Sequence, residues 1–153
     1  MPRILLILDG SGPALDEALR LAAERRAELS ALFVQEGGWR GFTGNDWLST
    51  SNSYVGFLEY IEDQEADEAR RAMQEFVRRA TAQGVEHRVK LVRGSLSQEA
   101  LAELGQGYDL LVMAHPLSRG LESLQGAAAK IIKLAPCSIL LVKAGAPGGQ
   151  TPS

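Results

Sequence analysis

The chain has 153 residues and a mass of 16.5 kDa, a size at which one hydrophobic core and one domain are expected. Apolar residues make up 45% and charged residues 23%, a globular balance that excludes a wholly disordered chain. The formal net charge is −3, the wrong sign for the basic patch that meets a phosphate backbone, so nucleic acid is not an expected partner.

The single cysteine, Cys137, excludes an intramolecular disulfide and a cysteine-built zinc site. No apolar run approaches the roughly 20 residues that span a bilayer, and the N-terminus lacks the pattern of a cleaved signal peptide. The expectation is a reduced, soluble, cytoplasmic protein with no membrane partner.

Ile4 to Leu8 is apolar without a break, as in a strand buried on both faces. Leu15, Ala18, Leu19, Ala22 and Ala23 then recur at helical spacing, with Pro13 suited to the first turn. Leu29 to Val34 reads as a second strand. A helix over about 58–82 follows, with Ala69, Met73, Phe76, Val77 and Ala80 on its inner stripe and Gln83-Gly84 as its stop. Its acidic residues come first and Arg70, Arg71, Arg78 and Arg79 later, the order that complements a helix dipole.

Val85 to Val92 alternates, as expected near a sheet edge, with His87 on the polar side facing solvent. Ser95 and Gln98 have capping-box spacing for a short helix through Leu104. Asp109 to Met113 reads as a fourth strand. A helix from about Leu121 to Leu134 presents Leu121, Leu124, Ala128, Ile131 and Ile132, and Ala135-Pro136 ends it. Ser138 to Val142 is a fifth strand, and the tail 144–153, rich in glycine and proline, is expected to be disordered.

This βαβαβαβαβ order predicts an α/β fold, a parallel sheet with helices on both faces and right-handed crossovers, in one domain over 1–143. Ligands of such sheets bind beyond the carboxyl ends of the strands, where the strand order reverses. The two most continuously apolar strands, the first and fourth, are the expected central neighbours. Their ends are Asp9-Gly10-Ser11 and Ala114-His115-Pro116, which locates any small-molecule crevice.

Three segments on this rhythm carry a resemblance: Ile4 to Ser11, Tyr108 to Met113, and Ala135 to Val142. Together they resemble the universal stress protein family over nearly the whole length, apart from the tail and the loop after the second strand. The resemblance implies a three-layer α/β/α, Rossmann-like fold of the adenine nucleotide alpha hydrolase type, with strand order 3-2-1-4-5. It also implies cytoplasmic stress-response roles and homodimers. ATP-binding members resemble G-x2-G-x9-G-[ST] after the fourth strand, where glycines let the backbone approach phosphates and the hydroxyl and helix N-terminus supply donors.

The present chain departs from that motif. Ala114 and Leu117 stand at the two glycine positions, Gly126 comes one residue early, and Ala127 replaces the hydroxyl residue. The expectation is loss of the usual triphosphate cradle and no cofactor, with ATP or AMP left as candidate ligands. Asp9 matches the acidic residue that binding members place near the nucleoside. It suits equally a turn or cap at Gly10-Ser11, and the sequence does not separate the two.

An adenine-nucleotide sensor would use Asp9, backbone groups near Val34, and a modified loop 114–127 in which Ser118 and Arg119 hold an anion and Ala114, His115, Gly126 and Ala127 line the crevice. A hydrolase pairing Asp9 with His115 is disfavoured, since neither a nucleophile elbow nor a complete P-loop accompanies them. His115 is read first as a locally bonded loop residue and Ser11 as a helix cap. Cys137 is expected to be buried and inert, and His87 and His115 lack metal-ligand spacing.

Residues 35–56 lack periodicity and carry Trp39, Phe42 and Trp47, as in a functional loop or in packing. Ser138, Ile139, Leu140, Leu141 and Val142 form an apolar strand that the family order puts at an edge. Antiparallel pairing with a second copy would satisfy it, so a homodimer is the expected assembly. The reading reached is a non-catalytic regulatory homodimer with an altered ATP motif.

Overall fold

The computed structural model describes residues 2–9, 12–35, 67–115 and 122–143. Its elements are β1 (Arg3–Ile7), α1 (Gly12–Arg25), β2 (Glu28–Gln35), α2 (Asp67–Ala82), β3 (His87–Arg93), α3 (Leu96–Leu104), β4 (Leu110–Ala114), α4 (Glu122–Leu134) and β5 (Ser138–Val142). All four strand pairings are parallel, in the order β3-β2-β1-β4-β5. The expected three-layer architecture is therefore present, with β1 and β4 side by side at its centre.

The period of two along each strand divides the core. Ile4, Leu6 and Leu8 of the β1 segment join Leu29, Ala31 and Val112 under α1 and α2. Leu5 and Ile7 join Leu32, Leu111 and Met113 under α3 and α4. Strands buried on both faces need no polar alternation, which is why β1 and β4 read as continuous apolar runs. In α2, Ala69, Met73, Phe76 and Ala80 are buried and Val77 half-buried, the stripe expected from their spacing.

Local signals close the helices. Ser95 caps α3, its hydroxyl accepting from the Gln98 N–H at 3.5 Å. At the end of α2 the Gly84 N–H donates to Thr81 O at 3.1 Å and the Val85 N–H to Ala80 O at 3.0 Å. Gly84 has a φ of 68°, the left-handed turn that lets both bonds form. α1 closes in the same way, with the Ala27 N–H donating to Ala22 O at 2.9 Å, but Arg26 takes the left-handed position at a φ of 54°.

Three side chains differ from the sequence expectation. His87 does not face solvent: it is half-buried, its ring meets Phe76 edge to face at 5.6 Å, and its Nδ1 lies 2.7 Å from Val85 O. The reason is strand parity, since His87 shares its face with Val89 and Leu91, both buried. Ala23 is exposed because it falls one position past the stripe set by Ala18, Leu19 and Ala22. Ile132 is 45% exposed while its neighbour Ile131 is fully buried. The Leu121 and Leu124 side chains, the helical start at 58–66, the aromatic-bearing segment from 36 and the tail 144–153 lie outside the described residues.

Candidate functional site

The β1–β4 register runs from Ile4↔Leu110 to Leu6↔Val112, so continuing it sets Leu8 level with Ala114 and Asp9 level with His115. After β1 the chain passes into α1 on one face of the sheet, and after β4 into α4 on the other. The strand ends at Asp9 and His115 thus bound the reversal point at which α/β sheets form a crevice. Leu8 is held rigidly there, buried and donating its N–H to Leu32 O at 2.9 Å.

Asp9 is half-buried at the end of the β1 segment. Val34, half-buried and paired with Val92, lies near the end of β2 and packs toward α3 and α4. Ala114 is the buried last residue of β4, paired with Val142. His115 is half-buried and its N–H donates to Val142 O at 2.9 Å. Gly126 and Ala127 occupy the second turn of α4, which begins at Glu122. An α-helix leaves only its first four N–H groups without internal partners, so these two residues fall beyond that set. Gly10, Ser11, Pro116, Leu117, Ser118, Arg119 and Gly120 lie outside the described residues.

One feature escapes sequence reasoning. Leu8, Gly12 and Leu15 face Glu68, Arg71, Ala72, Glu75 and Arg79 of α2 across a groove of about 550 Å³. Its floor is apolar and its rim alternates in charge. Arg79 pairs with Asp16 of α1, and Glu75 lies 2.7 Å from Arg78. The Arg78 hydrogen bond holds the Glu75 carboxyl below the usual carboxylate range. The groove's only sequence signal is a helical stripe of alternating charge, which reads as a solvated face.

A polar network between the sheet and α3 also went unforeseen. Arg88 Nε donates to Ser30 Oγ at 2.8 Å and Arg88 to the Tyr108 hydroxyl at 3.0 Å. The Tyr108 hydroxyl donates to Glu103 at 2.7 Å, and Lys90 Nζ meets the other Glu103 oxygen at 3.1 Å. Ser30, Glu103 and Tyr108 are buried, and burial pushes the Tyr108 hydroxyl pKa up despite its contact with Ser30. Every member has a partner, the condition under which buried polar groups are tolerated.

Cys137 is half-buried, and burial with the nearby Asp109 charge raises its thiol pKa, against reactivity. Among the described residues no group of three His, Cys, Asp or Glu side chains is placed to hold a metal, and no helix is long and apolar enough to cross a membrane.

A family model described as "Universal stress protein family" matches residues 1–143. The chain is 27% identical to Universal stress protein YxiE of Bacillus subtilis (strain 168), covering 92% of this chain and 98% of that protein. Among solved structures it resembles universal stress protein UspA from Lactobacillus plantarum, with a TM-score of 0.67 and 20% identity over 93% of this chain and 97% of that one. It also resembles the universal stress protein from Archaeoglobus fulgidus in complex with dAMP, with a TM-score of 0.62 and 15% identity over 94% and 98%.

Proposed function

The chain belongs to the universal stress protein family, and from that premise we propose that it acts as a non-catalytic, cytoplasmic regulatory homodimer without the triphosphate cradle of the ATP-binding members. The observation that carries this reading is the state of the motif positions. Ala114 is a buried strand residue paired with Val142, and Gly126 and Ala127 sit inside α4. A cradle needs backbone N–H groups free to turn toward phosphate, and helical N–H groups past the first turn are engaged.

The dimer reading is supported by β5. It is an edge strand without a charged residue, and Ile139, Leu140, Leu141 and Val142 are all half-exposed. Ile132 and Leu134 of the preceding helix are 45% and 57% exposed. Antiparallel pairing of two copies through Ser138–Val142 would bury these groups about a two-fold axis.

A second reading is favoured by the relative solved with dAMP: an adenine mononucleotide held by Asp9 and backbone near Val34, with Ser118 and Arg119 for its phosphate. Calorimetric titration with ATP and Mg²⁺, and separately with AMP, tests both. The first reading predicts no saturable ATP binding tighter than about 100 μM, or roughly −5.5 kcal/mol. Saturable AMP binding abolished by Asp9→Ala establishes the second, and tight ATP binding contradicts the first.

A further inference from the structure

We propose that dimerisation and the crevice are coupled through the main chain of His115, an inference that rests on the homodimer reading above. His115 is the first residue beyond β4 and stands level with Asp9. Its N–H donates to the carbonyl of Val142, the last residue of β5, at 2.9 Å. In a parallel pair, main-chain groups of successive residues point to alternate sides. That bond therefore turns the main chains of Ser138, Leu140 and Val142 toward β4 and leaves those of Ile139 and Leu141 facing outward.

β5 thus has two clients on its two sides. One side holds the His115 end of the crevice, and the other, paired with no strand among the described residues, offers its N–H and C=O groups to a second copy. A five-residue edge strand frays at its ends when its outer side is hydrated. A second copy paired on that side holds Val142 in place and with it the His115 amide. By reciprocity, whatever displaces the 114–115 main chain weakens the dimer by the same factor.

A ligand seated in the crevice therefore acts on the monomer–dimer equilibrium through this main-chain bond.

Amide hydrogen exchange read at His115 tests the coupling without any ligand. It is measured in the wild type above and below its dimer dissociation concentration, and in Leu141→Arg and the surface variant Ile132→Glu/Leu134→Glu. The amide of Val112, which faces β1 by the same parity, is the internal control. The expected result is His115 exchange at least tenfold faster in the monomer, with Val112 unchanged. A dimer whose dissociation leaves His115 exchange unaltered overturns the coupling alone. A wild type that sediments as a monomer throughout overturns the dimer reading and the coupling together.

Discussion

Two helices of this chain end in the same pair of hydrogen bonds, α2 on Gly84 and α1 on Arg26. A side chain in the left-handed region costs about 1–2 kcal/mol, partly offset because glycine loses more freedom on folding. Arg26→Gly is therefore expected to stabilise the fold by about 0.5–1 kcal/mol, read as a higher urea midpoint at unchanged slope. The stop of α2 was legible because glycine announces it, whereas Arg26 carries no such mark and its role follows only from the backbone. His87 was misread for a related reason: its polarity suggested solvent, but its parity with Val89 and Leu91 turns it onto Phe76. Asp9 was legible as a strand-end residue, whose carboxylate suits both a turn and a ligand.

At the scale of elements, the apolar runs of β1 and β4 declared their own burial and hence the centre of the sheet. The groove beside α1 did not, because alternating Glu and Arg on α2 is also what a hydrated helix face looks like. Nor did the network that joins β2, β3 and α3 around Tyr108, whose members are dispersed from Ser30 to Tyr108 in sequence. Tyr108→Phe removes a hydroxyl that both Arg88 and Glu103 contact, at an expected cost of about 1–3 kcal/mol near neutral pH. Since the folded hydroxyl has a raised pKa, the folded state keeps its proton where the unfolded chain, titrating near 10, has lost it. Wild-type stability then falls as pH rises above about 10 toward the folded pKa. The variant lacks this loss, so the gap between the two proteins narrows in alkali; thermal melts from pH 8 to 11 measure it, and a constant gap contradicts the assignment.

For the whole molecule, the two sheet edges are chemically unlike. β3 carries Arg88, Lys90 and Arg93 along its length, whereas β5 carries Ser, Ile, Leu, Leu and Val. Charged edges resist strand addition and apolar ones invite it, and the proposed dimer would use the apolar edge. This asymmetry was legible in the sequence once the strand order was known. The altered ATP motif was legible too, since the apolar spacing from Leu121 to Leu134 already put Gly126 within a helix, and α4 over Glu122–Leu134 agrees with that reading. Sedimentation velocity of the wild type beside Leu141→Arg tests the proposed β5 dimer most directly. A species of about 33 kDa, twice the 16.5 kDa of one chain, is expected for the wild type at micromolar concentration and a single-chain species for the folded variant. A wild type that sediments as one chain, or a folded variant that remains a dimer, contradicts it.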